Sequence, residues 1–388
     1  MLSSKPLLSA FHSFALACLL IVGLAARPAF AFDTSAQYGV LIDAETGAVL
    51  WEKDADTQMH PASMSKLMTL YMLFEALKAG TVKLDSTFPI SEHAWRAGGT
   101  TSGSSTMFAE LNSRIPVNTL IQGVIVQSGN DACIAIAEAL AGSEPEFANQ
   151  MTKRGKELGL TNSTFANSTG WPDPNQMMTS HDLATLARHL IKDFPEYYHY
   201  FKETEFTWNG ITQHNRNPAL FLDPSVDGLK TGHTEASGYG LVVSAKRGDQ
   251  RLILVLNGLP SMKARSDESI RVLDWGFRSF KSYKLFAANA VVDNAPVWQG
   301  TYAQVPLVVA QDVNLIMTPD QRKAMKVSVK YDAPIAAPIA AGQTVGTLSI
   351  EVPDKTTLQI PLVSGANVEQ LGIFGRGIAA LRHMIFGS

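Results

Sequence analysis

The chain has 388 residues, of which 46% are hydrophobic and 17% are charged, and its formal net charge is −3 at pH 7. A chain of this length can bury at least two hydrophobic cores. The balanced charge supplies no basic field for a polyanion, so we expect no nucleic acid among its partners. The sequence has no CxxC, HExxH or similar cluster of metal ligands, and it therefore predicts no metal site.

Residues 1–31 have the pattern of a secretory signal peptide. Lys5 precedes an apolar run at 14–25, and Ala29-Phe30-Ala31 forms an AxA cleavage site. A retained membrane anchor is the alternative, but the run is short for a bilayer span. We expect export, a mature chain that begins at Phe32, and a buried, unpaired Cys133.

Two β-hairpins enclose a long helical region. The first hairpin is predicted at 38–43 and 48–52, and the second at 239–245 and 251–256. Apolar periodicity between them predicts helices at 66–77, 119–125, 131–140, 146–158 and 181–191. We therefore expect one antiparallel sheet interrupted by a helical subdomain, over residues 32–284.

The pattern changes to short β-like runs after residue 284. Runs at 303–309, 326–331 and 357–361 are separated by Pro, Gly and Asp. They predict a small all-β sandwich over 285–364, so that the whole chain is of the α+β class.

The last segment, 365–388, has an amphipathic pattern. A helix from residue 368 places apolar side chains on one stripe and cations opposite; the stripe is Leu371, Phe374, Ile378, Leu381 and Ile385, and the cations are Arg376 and His383. This pattern favours a helix lying on a membrane surface. A helix docked on the β-rich domain is the alternative.

The first of three short motifs is Ser63-Met64-Ser65-Lys66, at the predicted start of the first helix. A helix N-terminus favours negative charge, so Ser63 is well placed to build an oxyanion. Lys66 follows on the same helical face, within reach of the serine oxygen. Ser63 is a candidate nucleophile and Lys66 a candidate base, made neutral by burial or by a nearby cation such as Lys230. An exposed helix start is the alternative.

The second motif is Ser128-Gly129-Asn130, on a loop between two apolar stretches. Ser128 could relay a proton to a leaving amine. Asn130 could bind a substrate carbonyl and orient Lys66. The alternative is a plain helix cap.

The third motif is Lys230-Thr231-Gly232, in a β-compatible stretch. Gly232 would permit a close backbone approach, so that a substrate strand could pair there. Lys230 and Thr231 would face a carboxylate. The backbone N–H of His233 could join that of Ser63 as an oxyanion donor, with the imidazole as a wall of the site.

In this order the three motifs resemble those of penicillin-binding proteins and class A β-lactamases. Over nearly the whole chain after residue 31, the sequence is similar to low-molecular-mass penicillin-binding proteins of the penicillin-binding protein 5 type, the D-alanyl-D-alanine carboxypeptidases of peptidase family S11. The segments that carry the likeness are Pro61-Ala62-Ser63, 127–132, Asn215-Arg216-Asn217, 226–234 and 274–277.

The resemblance implies a serine β-lactamase/DD-peptidase-like domain, a β-rich second domain and a membrane-anchoring helix. It implies that Ser63 attacks the D-Ala-D-Ala amide of a peptidoglycan stem peptide, and that water releases the acyl-enzyme without a metal or organic cofactor. β-Lactam antibiotics should acylate Ser63, and the location should be periplasmic, at the inner-membrane surface. By position, Arg265 resembles the arginine that holds the terminal carboxylate, and Arg216 resembles a second arginine near Lys230.

Two features separate this reading from a class A β-lactamase. Gly129 stands where those enzymes usually carry aspartate, and no glutamate suits activation of a deacylating water. Glu144-Pro145-Glu146 is the nearest candidate, but it has the pattern of an acidic helix start. A D,D-endopeptidase, a weak β-lactamase of the same fold and a non-catalytic wall-binding scaffold remain open alternatives.

Overall fold

The structure, a computed structural model, describes residues 32–386, with the side chains of His383 and Phe386 left out. The predicted signal peptide lies outside the described residues. Within 32–386, no helix has the length and apolar character needed to cross a membrane.

The helices are short to medium in length, and α1 follows a 3-10 turn at Ala62–Ser65. Their bounds are α1 (Lys66–Lys78), α2 (Val117–Ile125), α3 (Asn130–Ala141), α4 (Glu144–Glu157), α5 (Ser180–Asp193), α6 (Ala219–Leu222), α7 (Met262–Ser279), α8 (Pro319–Ala324) and α9 (Ile373–Phe386).

The strands fall into one sheet before residue 260, two minor two-stranded ribbons, and the β-rich region that follows α7. Their bounds are β1 (Tyr38–Asp43), β2 (Val49–Lys53), β3 (Thr87–Pro89), β4 (Arg114–Pro116), β5 (Glu205–Trp208), β6 (Ile211–His214), β7 (Val226–Thr234), β8 (Gly238–Arg247), β9 (Gln250–Leu259), β10 (Lys281–Phe286), β11 (Val291–Trp298), β12 (Gln304–Val309), β13 (Val313–Met317), β14 (Lys326–Lys330), β15 (Ile335–Ala336), β16 (Thr344–Glu351) and β17 (Leu358–Ser364).

The main sheet has five strands in the order β2-β1-β9-β8-β7, and every neighbouring pair is antiparallel. The predicted hairpins are β1–β2 and β8–β9. The five predicted helices, α1 to α5, lie between them in the chain, which confirms a sheet interrupted by a helical insertion. Strand β7 lies at the edge of the sheet, where a further strand can add to its outer side.

The sheet is buried on both faces because its side chains alternate between two cores. Val40 and Ile42 of β1 belong to the core that includes α1 to α5, whereas Leu41 belongs to a second core with α7. The side chain of Phe74 on α1 is fully buried in the first core. Burial of one such aromatic side chain contributes roughly 2–3 kcal/mol to the stability of this core.

The region after α7 is rich in β structure, as the run pattern predicts. A six-stranded sheet has the order β14-β16-β17-β12-β11-β15, and β10 pairs with β13. The inward side chains form a third core that includes Leu307, Leu348 and Leu362. The mixed α+β class is therefore confirmed.

The terminal helix starts later than the apolar stripe predicts. Val368 is buried and forms a β-bridge with Ile339, and α9 begins only at Ile373. Within α9, Phe374 is 91% exposed and Ile378 is 70% exposed. These side chains are not docked on the β-rich region, which removes the alternative considered from the sequence.

Candidate active site

Ser63 lies in the 3-10 turn that leads into α1, so the backbone directs its side chain toward Lys66. Lys66 Nζ donates a hydrogen bond of 2.8 Å to Ser63 Oγ. Ala62, one residue earlier, has a φ of 48°, in the left-handed region that costs a residue with a Cβ about 1 kcal/mol or more. The turn is therefore held by its surroundings rather than by local preference.

Lys66 has a second partner that the sequence did not indicate. Its Nζ lies 2.5 Å from the main-chain oxygen of Thr169, in the loop before α5. Gly170 packs so closely on the serine turn that an added Cβ would lie 2.0 Å from the Ala62 oxygen. The loop therefore positions the lysine and supports the turn at the same time.

Lys66 is fully buried, and its pKa is lowered to about 8. Burial is the main cause of this shift and Arg216 adds to it, whereas Cys133, Asp131 and Glu144 oppose it. Burial likewise lowers the pKa of Lys230 well below its usual value, with the Lys66 charge as the next cause. Burial is therefore what brings the pKa of Lys66 toward the range in which an amine can act as a base, and the Lys66 charge in turn disfavours the charged form of Lys230.

The second motif forms the turn between α2 and α3 and contacts the third motif directly. Ser128 has a φ of 60°, and its Oγ accepts a hydrogen bond of 3.0 Å from Lys230 Nζ. The cap of α3 is Gly129, with no side-chain hydrogen bond. Ser128 therefore faces the site and does not serve as the helix cap.

Asn130 lies at the start of α3, and its amide donates 2.9 Å to Ser104 Oγ. Its buried Oδ1 has no hydrogen-bond partner among residues 32–386. The predicted contact of Asn130 with Lys66 is absent from the described hydrogen bonds, in which Lys66 Nζ donates to Ser63 and Thr169.

Asp131 fixes the segment that carries Ser104. Its carboxylate accepts hydrogen bonds from Thr106 Oγ1 at 2.6 Å and from the backbone of Met107 and Ala109. Burial raises the pKa of this carboxyl, and the hydrogen bonds oppose that shift. The segment 104–109 is thus tied to the start of α3, beside the second motif.

The third motif forms the middle of edge strand β7. Lys230 and Thr231 are buried, and His233 is exposed and lies against Tyr239 with ring centroids 4.0 Å apart. An added Cβ at Gly232 would lie 2.9 Å from the Pro61 oxygen. The close approach at Gly232 is therefore made by the protein's own serine turn, a contact that sequence reasoning assigned to the substrate.

Both candidate arginines lie near the end of this strand. Arg265, on α7, donates to the main-chain oxygens of Gly232 at 3.5 Å and Arg216 at 3.4 Å, and its guanidinium lies 5.6 Å from the Tyr239 ring centroid. Arg216 donates to Ser105 Oγ at 2.5 Å. Burial lowers the pKa of both guanidinium groups, which marks them as partly desolvated cations in need of an anion.

Three residues of this arrangement have no motif in the sequence: Ser104, Ser105 and Thr169. Thr169 acts through a main-chain oxygen, which every residue carries. The one sequence signal for its loop is Asn167-Ser168-Thr169-Gly170, a turn-like stretch. Cys133 is buried, as predicted, and burial raises the pKa of its thiol to about 12.

Comparison with family models places two matches along the chain. Residues 24–260 match the D-alanyl-D-alanine carboxypeptidase model of peptidase family S11. Residues 280–370 match the C-terminal domain model of penicillin-binding protein 5.

The chain is also similar to individual proteins of the same kind. D-alanyl-D-alanine carboxypeptidase DacC of Escherichia coli is 40% identical over 92% of this chain and 94% of its own length. The crystal structure of penicillin-binding protein 5 from Haemophilus influenzae has a TM-score of 0.79 and 36% identity, covering 88% of this chain and 99% of that one. Penicillin-binding protein D2 of Listeria monocytogenes in its ampicillin-bound form has a TM-score of 0.55 and 26% identity, covering 63% and 98%.

Proposed function

Because the chain belongs to the peptidase S11 family of D-alanyl-D-alanine carboxypeptidases, we propose that it acts by a serine mechanism in which Ser63 is the nucleophile. The observation that carries this proposal is the 2.8 Å contact between Lys66 Nζ and Ser63 Oγ, made by a buried amine whose pKa is lowered to about 8. A neutral Lys66 takes the hydroxyl proton as Ser63 Oγ attacks the D-Ala-D-Ala amide carbonyl.

The tetrahedral intermediate needs donors for its oxyanion. The backbone N–H groups of Ser63 and His233 are the pair that fits, because the Gly232 backbone packs against the serine turn. The Cβ that Gly232 lacks would separate strand β7 from this turn. The glycine therefore brings the two donors toward one point.

The leaving amine of D-Ala requires a proton. Ser128 supplies it through its hydroxyl, which Lys230 holds in place at 3.0 Å, and the proton that Lys66 took from Ser63 returns to Ser128. The unpartnered Oδ1 and the amide of Asn130 bind the backbone of the peptide on the other side. The amide bond breaks, D-Ala departs, and the shortened peptide remains as an ester on Ser63 until water hydrolyses it.

The terminal carboxylate of the peptide is held by cations. Arg265 has a buried Nε with no partner among the described residues, and its guanidinium is fixed beside strand β7. Two more residues complete the anion site: Thr231 on the strand, and Arg216, whose main-chain oxygen accepts a hydrogen bond from Arg265. The edge position of β7 lets the peptide pair along the strand.

The substrate we propose is the peptidoglycan stem pentapeptide, and β-lactams should acylate Ser63 as analogues of D-Ala-D-Ala. The fold relative from Listeria with bound ampicillin supports that expectation. The predicted signal peptide and the exposed apolar stripe of α9 support a periplasmic location, with α9 lying on the inner-membrane surface.

The test follows D-Ala released from a synthetic peptide that ends in D-Ala-D-Ala. We expect release by the unmodified chain and none above background by Ser63→Ala. A matched control is Ser65→Ala in the same turn, where Ser65 Oγ bonds only to the Ala62 oxygen among the described contacts. Equal release by Ser63→Ala would contradict the serine mechanism; release from cross-linked dimers alone would favour a D,D-endopeptidase.

A further inference from the structure

Glu144 makes contacts that its position at the start of α4 does not require. The helix cap is Ser143, whose side chain accepts from the Glu146 backbone N–H. The helix start predicted from the sequence is therefore confirmed without a role for the Glu144 carboxylate. That carboxylate points away from its helix, toward the loop before α5, and is only 13% exposed.

The carboxylate binds one residue of this loop twice. Glu144 Oε1 accepts from the Ser168 backbone N–H at 3.0 Å and from Ser168 Oγ at 2.6 Å. Glu144 Oε2 lies 3.2 Å from Nε2 of the half-exposed His93. Ser168 is fully buried, so both of its donors depend on Glu144 as their protein partner.

The same loop segment positions Lys66. The Ser168 oxygen accepts 2.6 Å from Thr69 Oγ1 on α1, and the next main-chain oxygen, that of Thr169, accepts from Lys66 Nζ. Thr69 and Lys66 lie on the same helix, so α1 and the loop are joined at two consecutive carbonyls. A shift of Ser168 would move the oxygen that holds the lysine against Ser63.

We propose that Glu144 is a positioning residue for the acylation step, because it fixes Ser168 and thereby the Thr169 oxygen that holds Lys66 Nζ on Ser63 Oγ. This inference rests on the proposed role of Lys66 as base. Glu144 is not the base for a deacylating water: its carboxylate oxygens are occupied by Ser168 and His93.

The charge of Glu144 gives the proposal a second measurable effect, on the pKa of Lys66. Burial lowers the pKa of Lys66 most, and Arg216 lowers it too; Cys133, Asp131 and Glu144 raise it. Lys230 faces the same site through Ser128, and His93 faces Glu144 itself. Removal of the Glu144 charge should therefore let Lys66 lose its proton at lower pH.

The test compares Glu144→Ala and Glu144→Gln with Glu146→Ala and Glu146→Gln. Glu146 is exposed in the same helical turn and carries the same charge, which makes it a matched control. The measurements are the rate at which benzylpenicillin acylates the full chain, followed by intact mass, and its pH profile from about pH 6 to 10. Thermal unfolding is recorded for every variant.

Glu144→Ala should slow acylation by about tenfold to a hundredfold, as expected when a catalytic group shifts by a fraction of an ångström. Glu144→Gln retains an acceptor oxygen for Ser168 and should recover much of the rate. Its ascending pH limb should nevertheless lie at lower pH than in the unmodified chain. The profiles are repeated in the His93→Gln background, because the imidazole contacts the Glu144 carboxylate directly.

The inference would be overturned if both Glu144 variants had the same rates and pH profiles as the Glu146 variants. It would also be overturned if the Glu144 variants had a lower unfolding temperature but neither kinetic change. If Glu144→Ala does not fold, the pH profile of Glu144→Gln is the deciding measurement: an ascending limb unchanged from that of the unmodified chain would overturn the inference. Failure of the serine mechanism is distinguished separately, because then Ser63→Ala would still release D-Ala.

Discussion

The Lys230 amine lies 3.0 Å from the Ser128 hydroxyl, so the third motif contacts the second directly. The two residues are 102 positions apart in the chain, and both are buried. The contact gives Ser128 a buried amine as its partner at the place where a leaving amine must gain a proton. Lys230 therefore lies where it can assist proton transfer to the leaving amine, and it also belongs to strand β7, along which we propose that the substrate pairs.

Ser128→Ala should lower kcat/KM for D-Ala release on the order of a hundredfold to ten-thousandfold, the usual contribution of a positioned proton donor. Lys230→Ala should produce a loss of similar size. Lys246→Ala is the matched control, since Lys246 is an exposed lysine on the neighbouring strand β8. A Ser128→Ala variant as active as this control would contradict the proton relay.

The pH dependence of acylation should report Lys66. The amine accepts a proton only in its neutral form, and its pKa is lowered by burial to about 8. The acylation rate should rise with pH and level off above about pH 8, and it should fall by about tenfold per pH unit well below that value. Stopped-flow measurement with a chromogenic β-lactam checks this; a rate independent of pH between 6 and 9 would exclude Lys66 as the base.

Gly232→Ala should impair both stability and catalysis. The added Cβ would lie 2.9 Å from the Pro61 oxygen and 3.1 Å from Ala62 Cβ, so the serine turn or strand β7 must move. Overpacking of this kind costs about 1–3 kcal/mol of unfolding free energy. Chemical denaturation and D-Ala release should both show the loss, whereas Gly372→Ala, which meets nothing within 4 Å, should change neither.

Helix α9 should carry the membrane affinity of the chain. Phe374 and Ile378 are largely exposed in water, and Arg376 and Arg382 lie near them in the helix. The double change Phe374→Ser and Ile378→Ser should abolish sedimentation with anionic lipid vesicles and leave D-Ala release from a soluble peptide unchanged. The exposed Ala380→Ser is the control; vesicle binding retained by the double variant would refute the assignment.

Much of the fold follows from local sequence patterns. The hairpins β1–β2 and β8–β9 and the helices α1 to α5 are found where alternating and helical periodicities predict them. The predicted start of the terminal helix, at residue 368, is wrong, because Val368 pairs with Ile339, from a distant part of the chain. An apolar residue at the edge of a periodic stretch suits either structure, and only the tertiary partner decides between them.

The candidate site, too, can be predicted from the sequence only in part. Side chains with chemical roles, such as Ser63 and Lys66, are identified from their motif, since few residue types can do that chemistry. The Thr169 oxygen cannot be found in this way, because main-chain groups have no residue signature. The sequence predicts that Glu144 lies at a helix start, which the structure confirms, but its bonds to Ser168 depend on how the helix packs against a distant loop.

The central claim is that Ser63 is the residue that becomes acylated. The most direct measurement incubates the chain with benzylpenicillin, weighs the intact protein and maps the adduct by proteolysis and tandem mass spectrometry. We predict one adduct per chain, on the peptide that contains Ser63, and none in Ser63→Ala. An adduct on another residue, or an adduct of equal yield in Ser63→Ala, would contradict the account.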